Sequence, residues 1–348
     1  MKSNMPFVCF MTPFAKEAEF MACLPPSSDT LSCEIKGDDI DSFDGFVIGM
    51  FELSDKLRPI GISRQFTASE IIEMGNDMPK YDSACVFTSP RSTDPIHYRA
   101  QIHSVIKSLN GFDEKTVMSR MLVVDSDNDP LIVAHRYFQA HPSCFRYMYY
   151  TYDTGLWIGA TPELLLHYDH DSTEVVSMSV AGTRKVSVQG DWDIKNVLEH
   201  DIVTRYIQDV MQKYCNDVSV EERKAVFGEI EHLCHEVRGK GRVSLAKMLP
   251  ELNPTPAVCG WPREKSYRQI CDLETHQRNC YGGFVGICGA VKADLYVNLR
   301  CALVDNPPGE SVFRYNLFAG GGITKKSKVA GEWNETEIKM KSLLKCFD

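Results

Sequence analysis

Segments rich in β-branched and aromatic residues recur along this chain, and they constrain its fold more than any other feature. Residues of these types favour strands. Four segments lie in the middle of the chain, KTVMSRMLVVD, FRYMYYTYD, GLWIGATPELLLHYD and VVSMSVAGTRK, and three follow later, YGGFVGICGAV, DLYVNLRCALV and RYNLFAGGGI. Because helical stretches follow each group, we predict an α+β fold in which sheets pack together and helices lie outside.

Four stretches carry apolar residues at helical spacing. The first begins at Asp94 and stops at Asn110-Gly111, a common C-terminal signal. The second runs from Asp191 to about Cys215, and a shorter helix is expected at about 242–249. The last is the segment GEWNETEIKMKSLLKCF.

The N-terminal residues 1–93 alternate short apolar runs, FVCFM, GFVIGMFEL and ACVFTS, with polar turns, which is typical of antiparallel strands. Residues 94–348 carry every motif discussed below. The sequence contains no internal repeat or low-complexity linker at which to divide it. We therefore predict a single domain over residues 1–348.

The composition argues against several classes of function. A net charge of −9 and dispersed Lys and Arg residues disfavour a nucleic-acid partner. No apolar run approaches the roughly 18 residues of a membrane-spanning helix, and we see no secretory signal. The 13 cysteines form no CxxC pair and no zinc-like spacing, which indicates reduced thiols and a cytoplasmic protein.

The last predicted helix places Glu332, Glu335 and Lys339 along one face. A solvated face with a Glu335–Lys339 ion pair is the simpler interpretation. A cation site is the alternative, because Mg²⁺ takes oxygen ligands from one or two carboxylates. This segment alone leaves both interpretations open.

Glu199 lies on the same helical row as Val203, Tyr206 and Val210, so its carboxylate faces apolar residues. A carboxylate in that setting either binds a cationic partner such as a metal ion or extends to water at the helix edge. We interpret His200 beside it as structural.

Two further residues indicate acid–base chemistry. Glu163 follows the turn Thr161-Pro162 and precedes three leucines, an apolar setting that raises the pKa of a carboxyl, as a general acid requires. Lys115 opens a strand after Gly111, where partial burial would favour the neutral amine of a base. A helix start at Glu163 and an exposed Lys115 are the plainer alternatives.

Gly320, Gly321 and Gly322 end a strand and could bring backbone N–H groups to an anion. Neither a P-loop nor a GxGxxG pattern accompanies them, which argues against nucleotide binding. Arg300 alternates with apolar neighbours in a predicted strand, and its planar fork would suit a carboxylate. A paired structural arginine fits the same pattern.

Ten segments, in order, resemble the chorismate-utilising enzymes, a family that includes isochorismate, salicylate, anthranilate and aminodeoxychorismate synthases. They span the chain from about Asp94 onward and read KTVMSR, GATPELLL, VAGTR, LEHDIV, HLCHEVRGKG, NPTPAVCGWP, YGGFVG, LRCALV, FAGGGI and GEWNETEIK. The resemblance implies two antiparallel sheets packed face to face, with helices outside and the substrate in a cleft between the sheets.

The resemblance also implies roles for individual residues. Lys115 matches the general base that activates water, and Glu163 matches the general acid for the departing hydroxyl. Glu199 and Glu335 match magnesium ligands, and Glu332 is expected to act nearby through water. Substrate contacts or positions lining the pocket are implied for Gly182, Thr183, His232, Arg300, Gly320, Gly321, Gly322 and Lys339.

Among the members of this family, the chain most resembles those that form isochorismate. Lys115 is usually absent from the ammonia-using synthases, and PTPAVCGWP is unlike the corresponding segment of anthranilate synthases. The implied reaction is Mg²⁺-dependent conversion of chorismate to isochorismate, for menaquinone or siderophore synthesis, without a glutamine amidotransferase partner. One departure is Asn253, where the family usually has His.

Two alternatives stand beside this hypothesis. A salicylate synthase shares the base, the acid and the metal ligands and then eliminates pyruvate. A catalytically inactive relative that binds chorismate or a partner protein is disfavoured, because Lys115, Glu163, Glu199 and Glu335 are all present.

Overall fold

The computed structural model describes residues 6–22, 34–54, 59–62, 64–65, 91–306 and 311–348. Within these ranges the strands form two sheets, and all neighbouring strands pair antiparallel. The predicted α+β class with two antiparallel sheets is therefore confirmed.

The first sheet has nine strands in the part of the chain that the structure describes. These are β1 (Phe7–Met11), β2 (Glu19–Ala22), β5 (Arg64–Gln65), β6 (Lys115–Ser126), β7 (Phe145–Thr151), β8 (Gly155–Thr161), β13 (Gly260–Trp261), β16 (Cys301–Asp305) and β17 (Phe313–Ile323). From edge to edge their order is β13, β6, β17, β16, β8, β7, β1, β2, β5. Strands distant in sequence, such as β6 and β17, thus become neighbours.

The second sheet has eight strands within the same ranges. These are β3 (Gly45–Gly49), β4 (Ile60–Ile62), β9 (Leu164–Asp169), β10 (Glu174–Lys185), β11 (Asn216–Phe227), β12 (Ile230–Lys240), β14 (Phe284–Cys288) and β15 (Lys292–Val297). Their order is β11, β12, β10, β9, β15, β14, β3, β4.

Six α-helices and one 3-10 helix accompany the sheets in the described residues. The α-helices are α1 (Pro95–Ser108), α2 (Pro130–Ala140), α3 (Ile194–Tyr214), α4 (Leu245–Leu252), α5 (Arg263–Leu273) and α6 (Val329–Leu344), and the 3-10 helix is Gly37–Ser42. The helices predicted after Asp94, after Asp191 and at the end of the sequence are confirmed. The helix predicted at 242–249 begins three residues later, after Ser244.

Aromatic side chains hold the two sheets face to face. The ring of Phe10, on β1, lies 5.9 Å from that of Phe46, on β3 of the other sheet. Phe46 lies 5.9 Å from Tyr149, and Phe145 stacks on Tyr296 at 4.5 Å. Phe10, Phe46, Phe145 and Tyr149 are fully buried, so this layer excludes water from the middle of the molecule.

Helices cover the outer faces of both sheets. Tyr137 of α2 and Leu343 of α6 pack on the first sheet. Ile207 of α3 and Leu249 of α4 pack on the second sheet. The expectation that helices lie outside the packed sheets is confirmed.

The chain crosses from one sheet to the other at two adjacent places. Pro162 and Glu163 join β8 of the first sheet to β9 of the second, and residues 298–300 join β15 to β16. The turn at Thr161-Pro162 was predicted, whereas the placement of Arg300 inside one continuous strand was wrong. Pro162 cannot donate to a strand ladder, and Arg300 has a φ of 52°, outside the strand region.

Among the longer elements, helices α2 and α5 and strands β11 and β12 were not predicted, and neither were the short strands β2, β4, β5 and β13 or the 3-10 helix. Helix α2 does carry a start signal, because Pro130 is its first residue and the Asp129 carboxylate accepts a hydrogen bond from the Leu131 N–H at 2.8 Å. Strand β11 lies at the edge of its sheet, and most of its residues are exposed and several are charged. The alternation of apolar and polar residues that usually identifies a strand is therefore weak in its sequence. The predicted strand segment ACVFTS lies outside the described residues.

None of the helices in the described ranges combines the length and the apolar character needed to cross a bilayer. The cysteines in the same ranges are all free thiols, and all but Cys9 and Cys271 are buried.

Candidate active site

A cleft lies between the two sheets beside the two crossings. Nine of the predicted site residues line it: Glu163, Gly182, Thr183, Glu199, His232, Arg300, Gly320, Gly322 and Lys339. Lys115 contacts the cleft residue Glu199, whereas Glu332 and Glu335 line a neighbouring recess together with Thr183. The structure thus brings together residues that are far apart in the sequence.

Glu163 lies at the first crossing and is 3% exposed. Its backbone is fixed, because its carbonyl oxygen accepts a hydrogen bond from the Val297 N–H at 2.9 Å. Its Oε1 is buried without a hydrogen-bond partner in the described residues. Burial raises the pKa of Glu163 to about 8, although Lys115, Lys339 and Arg300 oppose the shift. The carboxyl therefore carries a proton at neutral pH.

Arg300 lies at the second crossing, with its guanidinium at the opposite wall of the cleft from β17. Its Nη2 donates to His232 Nε2 at 3.1 Å, and its Nη1 donates to the carbonyl of Lys339 at 3.2 Å. No carboxylate of the described residues lies within ion-pair distance of this guanidinium. Arg300 was predicted to lie inside a strand, which is wrong, and its side chain lines the cleft.

His232 connects Arg300 to the bulge of β10. Its Nδ1 donates to the carbonyl of Gly182 at 2.7 Å, so its Nε2 is free to accept from Arg300. Burial, together with Arg300 and Lys339, lowers the pKa of His232 to about 3. The ring is therefore neutral, and it fixes the direction of the Arg300 guanidinium.

The β-bulge between Ala181 and Arg184 aims Thr183 into the site. Gly182 has a φ of 68°, and an added Cβ would lie 3.0 Å from Asn196, so the bulge needs a glycine here. The Thr183 hydroxyl donates to Glu335 Oε1 at 3.3 Å.

Lys115 is completely buried, more deeply than the sequence predicted. Its Nζ donates to Glu199 Oε1 at 3.2 Å. Burial lowers the pKa of Lys115, although the Glu199 carboxylate opposes the shift. Loss of the proton from this amine is therefore easier than from an exposed lysine.

Glu199 has two lysine partners, of which Lys115 was predicted only as a base and neither was predicted to pair with Glu199. Lys195 was missed, and its Nζ lies 3.0 Å from Glu199 Oε2. Burial alone would raise the pKa of Glu199, but Lys115 and Lys195 hold it at about 2. The spacing of four residues between Lys195 and Glu199 was the available signal. Glu199 and Glu163 are buried to a similar extent, yet Glu199 is ionised and Glu163 is protonated at neutral pH.

Glu332 and Glu335 come from the first two turns of α6. Glu335 Oε1 accepts from Lys339 Nζ at 2.7 Å, and that ammonium also donates to the carbonyl of Gly320 at 2.7 Å. Burial and the neighbouring carboxylates raise the pKa of Glu332 to about 7, although Lys195 lowers it. The interpretation of this helix face as solvated is therefore wrong, since Glu332 is 3% exposed.

The three consecutive glycines of β17 allow close approach from both sides of the sheet. A Cβ on Gly322 would lie 2.0 Å from Glu199 Oε1 and 3.2 Å from Lys115 Cε. Gly321 faces the other side, where a Cβ would lie 3.0 Å from Glu332 Oε2. Gly320 and Gly322 line the cleft as predicted, whereas Gly321 does not.

Asn253 does not line the cleft. It is 6% exposed and donates from Nδ2 to the carbonyl of Met50 at 3.4 Å. Ala257 and Val258 of the same segment do line the cleft, so the departure at Asn253 lies away from the predicted catalytic groups.

The carboxylates of Glu199, Glu332 and Glu335 have the chemistry of a magnesium site. Oxygen donors are what Mg²⁺ prefers, and Glu332 Oε2 is buried without a hydrogen-bond partner in the described residues. Burial is the main cause of the raised pKa of Glu332, and the neighbouring Glu335 and Glu199 carboxylates add to it. The types of residue present therefore suit a divalent cation, although no three His, Cys, Asp or Glu side chains of the described residues are arranged to hold one.

The sequence of this chain is similar to those of several known proteins. A family profile described as chorismate binding enzyme matches residues 62–348. The chain is 30% identical over 295 residues to the vibriobactin-specific isochorismate synthase of Vibrio cholerae, covering 74% of this chain and 72% of that protein. It is 29% identical over 260 residues to isochorismate synthase 2 of Arabidopsis thaliana, covering 70% of this chain but only 45% of that relative.

The fold matches a solved structure along nearly the whole chain. The menaquinone-specific isochorismate synthase MenF of Escherichia coli superimposes with a TM-score of 0.72 at 18% identity, covering 99% of this chain and 89% of that one. Identity this low supports the fold rather than the activity.

Substitution of Gly322 should disturb the buried ion pair beneath it. We expect Gly322→Ala to lower the free energy of unfolding by about 1–3 kcal/mol, because the Cβ overlaps the Glu199 carboxylate. The matched control is Gly331→Ala in α6, where the nearest atom is 4.0 Å away, and there we expect a gain of about 0.5–1 kcal/mol. Urea unfolding measures both, and equal effects would contradict the steric argument.

The charge state of Glu163 predicts a specific dependence of stability on pH. Its folded-state pKa of about 8 exceeds the ordinary value of 4.5, so its contribution to stability is full below pH 4.5 and is lost as pH rises through about 8. Glu163→Gln has no proton to lose. Urea unfolding across this range should therefore show wild type weakening relative to Glu163→Gln as pH rises.

The control for this measurement is Glu229→Gln, which removes a carboxylate whose side chain is 79% exposed. Its stability should follow the wild-type pH profile closely. A constant difference between wild type and Glu163→Gln at every pH would show that Glu163 is ionised in the folded protein.

Proposed function

Because the family profile spans most of its length, the chain belongs to the chorismate-binding enzyme family, and we propose that it is an isochorismate synthase. The observation that carries this proposal is the pair of buried groups with opposite pKa shifts. Burial lowers the pKa of Lys115 and raises that of Glu163 to about 8. Lys115 therefore gives up its proton more readily than an exposed lysine, and Glu163 still holds a proton to donate at neutral pH.

We propose that chorismate occupies the cleft with a carboxylate against Arg300. The guanidinium is buried, is held by His232 and Lys339, and has no carboxylate partner in the described residues. Its planar fork suits a bidentate contact with a carboxylate. The neutral His232 ring adds no charge, so the positive potential at this wall comes from Arg300 and Lys339.

In the proposed reaction, Lys115 takes a proton from a water molecule, and the resulting hydroxide adds to C2 of the ring. The double bonds shift, and the C4 oxygen leaves as water after taking the proton of Glu163. Lys115 ends protonated and Glu163 ends ionised, so one proton must return from Lys115 to Glu163 before the next turnover. Addition and loss of one water balance, and the product is an isomer of the substrate.

We further propose that Glu199 and Glu335 bind Mg²⁺, with Glu332 nearby. The bound ion would supply a positive charge that anchors the carboxylate on the ring and polarises it. Thr183 and Lys339 orient Glu335 for this role through contacts of 3.3 and 2.7 Å. Water as the nucleophile requires no amidotransferase partner to deliver ammonia.

Removal of either proton-transfer group should reduce turnover strongly. We expect Lys115→Ala and Glu163→Gln each to lower kcat by about 10²–10⁴-fold, the usual contribution of general acid or base catalysis. Matched controls are Lys345→Ala and Glu229→Gln, which remove one partner each of an exposed ion pair. Steady-state assays with chorismate measure the effect, and unchanged turnover in both site variants would contradict this mechanism.

Product identification separates the proposed reaction from its nearest alternative. Incubation of the protein with chorismate and Mg²⁺, followed by NMR, should show isochorismate without stoichiometric pyruvate. EDTA should stop turnover, and added ammonium should yield no amino product. Stoichiometric pyruvate would instead assign the chain as a salicylate synthase, which shares the same base, acid and metal ligands.

A further inference from the structure

Lys195 occupies a central position that the proposed reaction does not explain. It lies in the first turn of α3, and its side chain is 15% exposed. Its Nζ lies 3.0 Å from Glu199 Oε2, 3.4 Å from Glu332 Oε1 and 3.9 Å from Glu335 Oε2. One ammonium therefore contacts all three carboxylates that fit a divalent cation.

The three carboxylates depend on Lys195 to different degrees. Glu199 also pairs with Lys115, and Glu335 also pairs with Lys339. Within the described ranges, Lys195 is the one lysine or arginine within ion-pair distance of Glu332. Without the Lys195 ammonium, the three carboxylates would face one another with only Lys115 and Lys339 beside them, and Glu332 would have no cationic partner in the described residues, which is costly in a region of low dielectric constant.

The same three carboxylates are not positioned to coordinate a metal ion directly. In the described part of the chain, no three His, Cys, Asp or Glu side chains are arranged to hold a metal ion. The ammonium lies among the carboxylate oxygens. A small divalent cation at the same place would need those oxygens at about 2.0–2.1 Å, closer than they lie to the ammonium. A cation can enter only if the ammonium moves away.

We propose that Lys195 is an internal counter-ion that holds Glu199, Glu332 and Glu335 together until a divalent cation displaces its ammonium. This inference rests on the proposed function for the presence of Mg²⁺. The route for the ammonium is a recess beside the carboxylates, lined by Lys195 itself, Asp193, Lys328 and Gly331. A lysine side chain has four flexible bonds and reaches such a recess without backbone movement.

Two consequences follow from this exchange. Metal-free protein keeps its carboxylates neutralised and stays folded. Metal binding must replace the contacts of Lys195, so the lysine weakens the apparent affinity for Mg²⁺. A neutral side chain at position 195 should have the opposite effects, with lower stability without metal and tighter binding of the metal.

The test uses Lys195→Met in the full chain, because methionine keeps the length and apolar stem of lysine without its charge. Isothermal titration with MgCl₂ should show affinity about tenfold or more tighter than wild type, within the usual range of coupling between two sites. Thermal unfolding should show a lower Tm without metal, and saturating MgCl₂ should largely close the gap. The matched control is Lys213→Met on the same helix, whose side chain is 60% exposed and pairs with Glu251; it should leave Mg²⁺ affinity unchanged.

A wild-type measurement keeps the proposal testable if metal-free Lys195→Met does not stay folded. Lysine acylation followed by mass spectrometry should modify Lys195 faster with Mg²⁺ than without it, because the displaced ammonium lies nearer to solvent. An unchanged or slower rate would overturn the proposal. The proposal would also be overturned if wild type binds Mg²⁺ and Lys195→Met binds it no more tightly.

The outcomes also separate this inference from the proposed function. Wild type that binds no Mg²⁺ by calorimetry would remove the magnesium step of the proposed function and this inference with it. Wild type that binds Mg²⁺ and forms isochorismate, with no effect of Lys195→Met on affinity, would overturn this inference alone.

Discussion

The cleft depends on the hydrogen bonds that join the two chain crossings. The Val297 N–H donates to the carbonyl of Glu163 at 2.9 Å, and the Ala160 N–H donates to the carbonyl of Arg300 at 3.3 Å. The Thr161 hydroxyl donates to the carbonyl of Val297 at 2.6 Å. These bonds satisfy the backbone polar groups at the points where both strands leave their sheets. The Glu163 carboxyl and the Arg300 guanidinium can therefore occupy buried positions with little local freedom.

The charge states in the cleft follow from pairing rather than from residue type. Glu163 and Glu199 are buried to a similar extent, at 3% and 5% exposure. Glu199 has ammonium groups on both of its oxygens and remains ionised, whereas the Glu163 side chain has none in direct contact and takes up a proton. Glu163 therefore differs from Glu199 in charge because burial acts on it without a direct ammonium contact.

Much of this arrangement could be predicted from the sequence, because periodicity depends on local geometry. The spacing in α3 placed Glu199 on a buried face, and the strand ending in Gly322 was recognised from its residue types. The turn before Glu163 was predicted from Pro162, but the change of sheet there and at Arg300 was not, since only tertiary packing shows which sheet each half joins. Lys195 was missed because a lysine near a helix start usually lies in water, and its burial requires α6 to pack nearby.

The two ends of the cleft have opposite electrostatic character, and this difference orients an anionic ligand. At one end, Arg300 lies beside a neutral His232 and has no carboxylate partner in the described residues, so an anion gains most there. At the other end, Lys195 contacts Glu199, Glu332 and Glu335, and Lys115 and Lys339 each pair with one of these carboxylates, so none of these three lysines is left without a carboxylate partner to attract an anion. Lys339 connects the ends, because its ammonium contacts Glu335 while its carbonyl accepts from Arg300. In the function proposed above, a ligand with two carboxylates would place one against Arg300 and direct the other toward the three glutamates and a bound cation.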